Sequence, residues 1–161
     1  MYIQMEEDTV TATKTIVVPI HKLPHAPENL PQYQTEGAVG MDLQAAITEP
    51  ITLKPLERQL IPTGFVIMLP EGYEAQIRAR SGLSVKHGIT LINAIGTVDW
   101  DYRNEVKVAL VNLSNDAYTI EPGERIAQMV IAPVTKAEWQ QVAEVSQASG
   151  SRDGGFGSTG K

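Results

Sequence analysis

The sequence predicts an all-β protein, a barrel or jelly-roll sandwich that carries one short helix. Three observations carry this. Apolar, β-branched runs of strand length recur along the chain. Clusters of Pro, Gly, Asn and Asp separate them at short, even intervals. One good internal segment has a helical pattern closed by a glycine stop. At 161 residues the chain is a single domain, long enough to bury a core.

Residues 1–13 form a polar N-terminal extension, expected to fray or to exchange as a strand, and residues 14–145 form the β domain. The first apolar run is Thr15–Ile20, followed by Gln59–Ile61, Phe65–Leu69 and Tyr73–Ile77. The turn signal Leu69-Pro-Glu-Gly72 separates the last two. Ser81–His87 reads as the helix, stopped by Gly88, and Ile89–Ile92 as the next strand. Gly96–Val108 reads as a β-hairpin with Asp99, Asp101, Tyr102, Arg103 and Glu105 around its bend. The strand Val106–Leu113 leaves it with Val106, Val108 and Leu110 on one face. Turns at Asn115-Asp116 and Glu121-Pro-Gly123 precede the strand Ile126–Ile131. Thr135-Lys-Ala-Glu138 has capping-box spacing and allows a short second helix. Trp139–Val145 is equally consistent with a strand. Residues 146–161 are too glycine-rich to fold alone.

Charge and composition narrow the function. The formal net charge is −6, which argues against nonspecific nucleic-acid binding. The chain has no cysteine, so it has no disulfide framework and no thiolate metal site. That fits a reducing cytoplasm. No apolar run reaches membrane-span length, and the acidic start MYIQMEEDTV is unlike a signal peptide.

The residues that could carry chemistry cluster near glycines. A bend needing only solubility would be Asn-Gly or Asp-Gly; this one holds carboxylates and a tyrosine that could line a small-molecule pocket. Arg80-Ser81-Gly82 ends a strand and opens the helix, where free N–H groups favour phosphate; Ser81 also reads as a simple N-cap. Gln128, among Ile126, Ala127, Met129 and Val130, needs a hydrogen-bond partner if buried. Asp42 reads either as a turn residue or as a metal-shell carboxylate. His21, His25 and His87 are scattered and read as surface residues. In the tail, Arg152, Phe156 and the surrounding glycines suit a flap that orders over a ligand: a guanidinium for phosphate, a ring to stack on a base, and an anion nest. Gly155-x-x-x-x-Gly160-Lys161 matches the start of a P-loop, but that motif joins a strand to a helix and continues with Ser or Thr, so it is not read as one.

Five segments together resemble the ordered motifs of the trimeric deoxyuridine triphosphatases (dUTP diphosphatases): Gly37-Ala-Val-Gly-Met-Asp-Leu-Gln-Ala-Ala46, Arg80-Ser-Gly-Leu-Ser-Val-Lys-His-Gly88, Gly96-Thr-Val-Asp-Trp-Asp-Tyr102, Gly123-Glu-Arg-Ile-Ala-Gln-Met129 and Gly154-Gly-Phe-Gly-Ser-Thr-Gly160. The resemblance runs from about Gly37 to the C-terminus. It implies a distorted jelly-roll or β-clip subunit in a homotrimer with shared active sites and a flexible C-terminal flap. The implied reaction is hydrolysis of dUTP to dUMP and pyrophosphate with Mg²⁺, which supplies the dTTP precursor and limits uracil incorporation into DNA. By match of position, Asp99 is the implied general base for the water that attacks the α-phosphorus. Tyr102 would pack against the deoxyribose. Asn93, Gly96 and the backbone around Thr97, Val98 and Lys107 would read uracil. Arg80, Ser81, Gly82 and Gln128 would hold phosphates, and Asp42 would touch the metal through water. Arg152, Phe156, Gly157, Ser158 and Thr159 would close the flap.

Two positions depart from the family pattern. Only Asp153, Gly154 and Gly155 separate Arg152 from Phe156, one residue fewer than is usual. Asn104 stands where the bend usually has glycine; Asn tolerates the left-handed backbone that glycine would supply. The nearest enzyme rival is dCTP deaminase, whose relatives carry a glutamate on the following strand where this chain has Ala109. A catalytically silent nucleotide-binding protein is the other alternative.

Overall fold

A computed structural model describes residues 14–145. The N-terminal extension and the glycine-rich tail, with Arg152 and Phe156–Thr159, lie outside the described residues. Among those described, eleven strands and one helix follow in order: β1 Ile20–Lys22, β2 Met41–Gln44, β3 Ile51–Leu53, β4 Arg58–Pro62, β5 Phe65–Ile67, β6 Tyr73–Arg78, α1 Ser81–His87, β7 Ile89–Leu91, β8 Ile95–Val98, β9 Lys107–Asn112, β10 Tyr118–Ile120 and β11 Arg125–Pro133. The all-β expectation holds, as a distorted jelly roll of small antiparallel sheets.

The largest sheet has the order β2-β11-β6-β8 and faces a three-stranded sheet β4-β9-β7 across one apolar cluster. β1-β5 and β10-β3 are two-stranded pairs. β11 and β9 are interior strands of their sheets, and their near-continuous burial in place of simple alternation means that both of their faces are covered. Val106, Val108 and Leu110 all point into the core, as their spacing predicts. No helix among the described residues is long and apolar enough to cross a membrane.

α1 occupies Ser81–His87 as expected, and Gly88 ends it in the left-handed conformation at φ 67°, its N–H bonded to Ser84 O. A side chain there would also meet Ser114, since a Cβ would sit 2.8 Å from Ser114 Cβ. The N-terminal end differs from expectation. Arg80, extended at φ −88° and ψ 126°, takes the N-cap position without a side-chain cap, so Ser81 begins the helix instead of capping it.

Four further expectations are corrected. The first strand starts at Ile20, not Thr15; Pro19 lacks an N–H to donate to a ladder, and only its carbonyl is used, by the Met68 N–H at 2.9 Å. Gly96–Val108 is not a hairpin: β8 pairs with β6 and β9 with β4 and β7, so residues 99–106 cross from one sheet to the other. Both flanking residues, Val98 and Val106, are buried, and the connection exceeds the two to five residues usual in hairpin loops. Asn104 does not use the left-handed backbone; among described non-glycine residues Leu56 and Ala94 do. Residues 135–145 form neither helix nor strand, and Trp139 is 94% exposed. Capping-box spacing alone cannot hold a helix whose apolar residues, Trp139, Val142 and Val145, pack against nothing among the described residues.

Asn112, at the end of β9, was not singled out by sequence and is a buried polar anchor. Its Nδ2 donates to Leu53 O at 2.9 Å and Asp116 O at 2.8 Å, while its Oδ1 accepts from the Ser114 N–H and hydroxyl. All its hydrogen-bonding capacity is used, which ties β3 and the 114–116 turn to the central strand. Asn112→Ala should cost about 2–4 kcal/mol, because it strands several buried partners at once. Denaturant unfolding at fixed protein concentration measures this; a loss below about 0.5 kcal/mol, the scale of a surface substitution, contradicts it.

Candidate active site

The described residues that the sequence singles out fall into two groups, and the largest sheet positions most of both. The first lies at the edge where β2, β11 and β6 adjoin the start of α1. Asp42 on β2 is opposite Gln128 on β11, which is opposite Arg78 on β6. Asp42 Oδ1 lies 3.0 Å from Arg80 Nε and its Oδ2 lies 3.2 Å from Arg125 Nη1. Arg80 Nη1 also donates to Arg125 O at 2.8 Å. One carboxylate thus holds two guanidinium groups side by side. Gln128 Nε2 donates to Ala79 O at 2.9 Å, the partner that its half-buried position requires. Gly40 lets the Gln128 amide approach, since a Cβ there would sit 2.4 Å from Gln128 Oε1.

The second group lies on β8 and the crossing that follows it. Leu91 O accepts the Ala94 N–H at 3.1 Å and Asn93 O accepts the Ile95 N–H at 2.7 Å, a tight turn with Ala94 at φ 61°. Gly96 then passes close to both β6 and Asn93; a Cβ would lie 3.1 Å from Ile77 Cβ and 3.4 Å from Asn93 Nδ2. β8 is an edge strand, paired only with β6 among the described residues. No described strand pairs with its other backbone edge. The Val98 side chain belongs to the core, so only its backbone is available to a ligand. Asp99 follows, exposed, and no described side chain hydrogen-bonds its carboxylate. Its carbonyl accepts the Tyr102 N–H at 3.1 Å, and the Tyr102 hydroxyl donates to Glu105 O at 3.0 Å. Arg103 closes the loop from behind, donating to Trp100 O and Tyr102 O at 2.5 and 3.0 Å.

These groups are not brought together within one chain. Ile95 is level with Arg78 and Gln128, while Val98 is level with Ala75. Asp99 therefore stands roughly 13 Å up the strand from that row, at about 3.3 Å per residue, and on the side away from Arg80. It opens instead on a groove of about 630 Å³ that it shares with Glu71, Glu74, Asp101 and Lys136. Four carboxylates against one ammonium make that groove a poor host for a polyanion. Lys107 stands on the other sheet, its Nζ 3.9 Å from Glu105 Oε2.

Sequence reasoning missed Arg125, Glu105 and His25 as members of these networks. Arg125 and Asp42 are opposite charges, but their meeting depends on a register shift between β11 and β2 that no local pattern reveals. His25 is exposed, as expected, yet its Nε2 lies 2.7 Å from Glu105 Oε1. Within reach of the Arg80 charge, Tyr118 donates to Glu124. Burial first, then that hydrogen bond and the Glu124 charge, push the Tyr118 phenol above its ordinary range, against the opposing pull of Arg80. The folded state thus favours the protonated phenol; this contribution is full below the ordinary tyrosine range and is lost as pH rises above it.

A family model described as dUTPase matches residues 26–160, which include all of the motif segments. The chain belongs to the dUTPase family. It is 62% identical over 132 residues to the deoxyuridine 5'-triphosphate nucleotidohydrolase of Cytophaga hutchinsonii, covering 82% of this chain and 85% of the relative. The corresponding protein of Finegoldia magna is 59% identical over 131 residues, covering 81% and 91%. Among solved structures, the dUTPase of Staphylococcus bacteriophage 80alpha with dUPNHPP superposes with a TM-score of 0.79 at 28% identity, covering 91% of this chain and 99% of that one. Membership makes the protein a hydrolase of nucleotide metabolism. Placing a nucleotide's phosphates at the paired arginines has a direct test. Asp42→Asn keeps the shape and removes the charge that organises them. Initial-rate kinetics should show KM for dUTP raised roughly three- to tenfold with a smaller change in kcat, the scale of a partly exposed ion-pair set. An unchanged KM would contradict that placement.

Proposed function

We propose that the protein hydrolyses dUTP to dUMP and pyrophosphate in the cytoplasm, supplying the dTTP precursor and limiting uracil in DNA. The observation that carries this is the run Asn93–Asp99: an edge strand, kept close to its neighbour by Gly96, that ends on a carboxylate with no described partner. Uracil offers an O4 acceptor and an N3–H donor, and cytosine reverses both. Backbone groups of Gly96, Thr97 and Val98, with the Asn93 amide, would be paired by uracil and stranded by cytosine, which discriminates by orders of magnitude. Lys107 would contribute through its backbone.

Asp99 takes a proton from water as that water attacks the α-phosphorus. The new P–O bond forms as the bond to the bridging oxygen breaks, and pyrophosphate leaves. Arg80, Ser81, Gly82 and Gln128 bind the phosphates, where positioning and charge neutralisation supply most of the rate. Tyr102 packs against the deoxyribose and leaves no room for a 2′-hydroxyl. Arg152, Phe156, Gly157, Ser158 and Thr159 would cover the γ-phosphate and base. The tail's glycine content makes such closure costly in entropy and dependent on bound substrate.

Mg²⁺ fits this site as an ion brought by the triphosphate. No group of three or more His, Asp or Glu residues suited to a metal exists among the described residues, and both Asp42 oxygens already face guanidinium groups. Asp42 would meet the ion through water, as a hydrated octahedral cation permits. When bound, the ion neutralises phosphate charge. A phage phi11 dUTPase, at 23% identity, has a structural Mg(II) ion.

The separation of Asp99 from Arg80 supports a homotrimer in which one copy supplies β8 and the Asp99–Tyr102 loop and another the phosphate cluster. Exposed Trp139, Val142 and Val145 give residues 135–145 apolar surface for a second copy.

Pyrophosphate release assayed across the common deoxynucleoside triphosphates and UTP tests the reading. Release should be confined largely to dUTP, with no ammonia from dCTP. Asp99→Asn should lower turnover by about 10²–10⁴-fold while dUTP still binds. Near-normal turnover in that variant would refute the assignment of the base.

A further inference from the structure

Beneath the Asp99–Tyr102 loop three distant segments are joined at one side chain, Glu105, to which no role in the reaction is yet assigned. Its Oε1 accepts the Gly64 N–H at 2.8 Å and lies 2.7 Å from His25 Nε2. The carboxylate is largely buried, at 13% exposure, whereas a glutamate on a solvated bend would have no reason to be. Gly64 is itself fixed. It sits at φ 77°, its carbonyl accepts the Leu23 N–H at 2.8 Å, and a Cβ would lie 2.3 Å from Ala26 Cα. The next residue is pinned as well: Val106 donates its N–H to Phe65 O at 2.8 Å and accepts from Thr63 Oγ1 at 2.6 Å.

The consequence is that the Glu105 carbonyl occupies a set position, and this is the oxygen to which the Tyr102 hydroxyl is bonded. Tyr102 is 39% exposed, and this hydrogen bond ties its ring to that oxygen. We propose that Glu105 is a positioning residue: anchored by Gly64 and His25, it holds Tyr102 at the angle that excludes a 2′-hydroxyl. The segment around His25 thereby contributes to sugar selectivity without touching the nucleotide. The proposal rests on the reading that Tyr102 faces the deoxyribose.

Sugar selectivity is the readout that a merely structural role would not move. It is the ratio of kcat/KM for dUTP to kcat/KM for UTP, measured beside the thermal midpoint of each variant. A ring displaced by about 1 Å loses on the order of tenfold or more in such discrimination. Glu105→Ala should therefore lower the ratio by about tenfold, by the same argument from misplacement. Glu105→Gln can still accept the Gly64 N–H and should restore most of the ratio. Tyr102→Phe removes only the hydroxyl tether at an exposed position, so it carries the test even if Glu105→Ala fails to fold; it too should lower the ratio. Tyr102→Ala separates the two levels of the argument. If it leaves the ratio unchanged, the placement of Tyr102 against the sugar falls and this proposal with it. If it collapses the ratio while Tyr102→Phe and folded Glu105→Ala keep it at the wild-type value, only the positioning role of Glu105 is overturned.

Discussion

β6 is hydrogen-bonded on both edges, to β11 through Gln128 opposite Arg78 and to β8 through Arg78 opposite Ile95. That double ladder sets the geometry on which the site depends. It fixes Gln128, and through β11 also Asp42, at one level of the sheet, and it sends β8 away from that level toward Asp99. A one-residue slip would turn Ile77, Ala75 and Met129 out of the core, so burial locks the register. The distance between Asp99 and the arginine cluster is therefore a property of the fold, not of loop flexibility.

Charge is organised on the same principle. The protein carries a formal charge of −6, yet its family acts on a polyanion. Asp42 gathers positive charge at one place. Two guanidinium groups that would repel one another are held by one carboxylate between β2, β11 and the start of α1. The Asp99 end of the sheet has the opposite character, with Glu71, Glu74 and Asp101 around it. A phosphate chain suits the first end and a proton acceptor the second.

What could be read from the sequence depended on how local its cause was. Ser81–His87 was legible because Gly88 supplies the left-handed stop within the same stretch. β9 and β11 were legible because long apolar, β-branched runs leave few alternatives, and β6 because Tyr73, Ala75 and Ile77 alternate with polar residues. β2, β3 and β10 were missed: they are only three or four residues long, and Met41–Gln44 or Tyr118–Ile120 become strands because of their partners. The supposed hairpin failed for the same reason, since the partner of β8 is upstream on β6. At the site, the residue types were visible but their partners were not. Asp42 was ambiguous until Arg80 and Arg125 were found on it, and Glu105 looked like one more bend carboxylate until Gly64 and His25 were placed beside it.

The central claim is that Asp99 and Arg80 of one working site belong to different copies of the chain. Chains carrying Asp99→Asn and chains carrying Arg80→Ala can be mixed in equal amounts, unfolded, reassembled and checked by mass for mixed assemblies. Each variant alone should be nearly inactive. With random assembly and heterologous pairing, the mixture should regain about a quarter of wild-type activity, because that share of sites combines an intact Asp99 with an intact Arg80. Verified mixed assemblies that stay as inactive as the two parents would place both residues in the same chain's site and contradict the account.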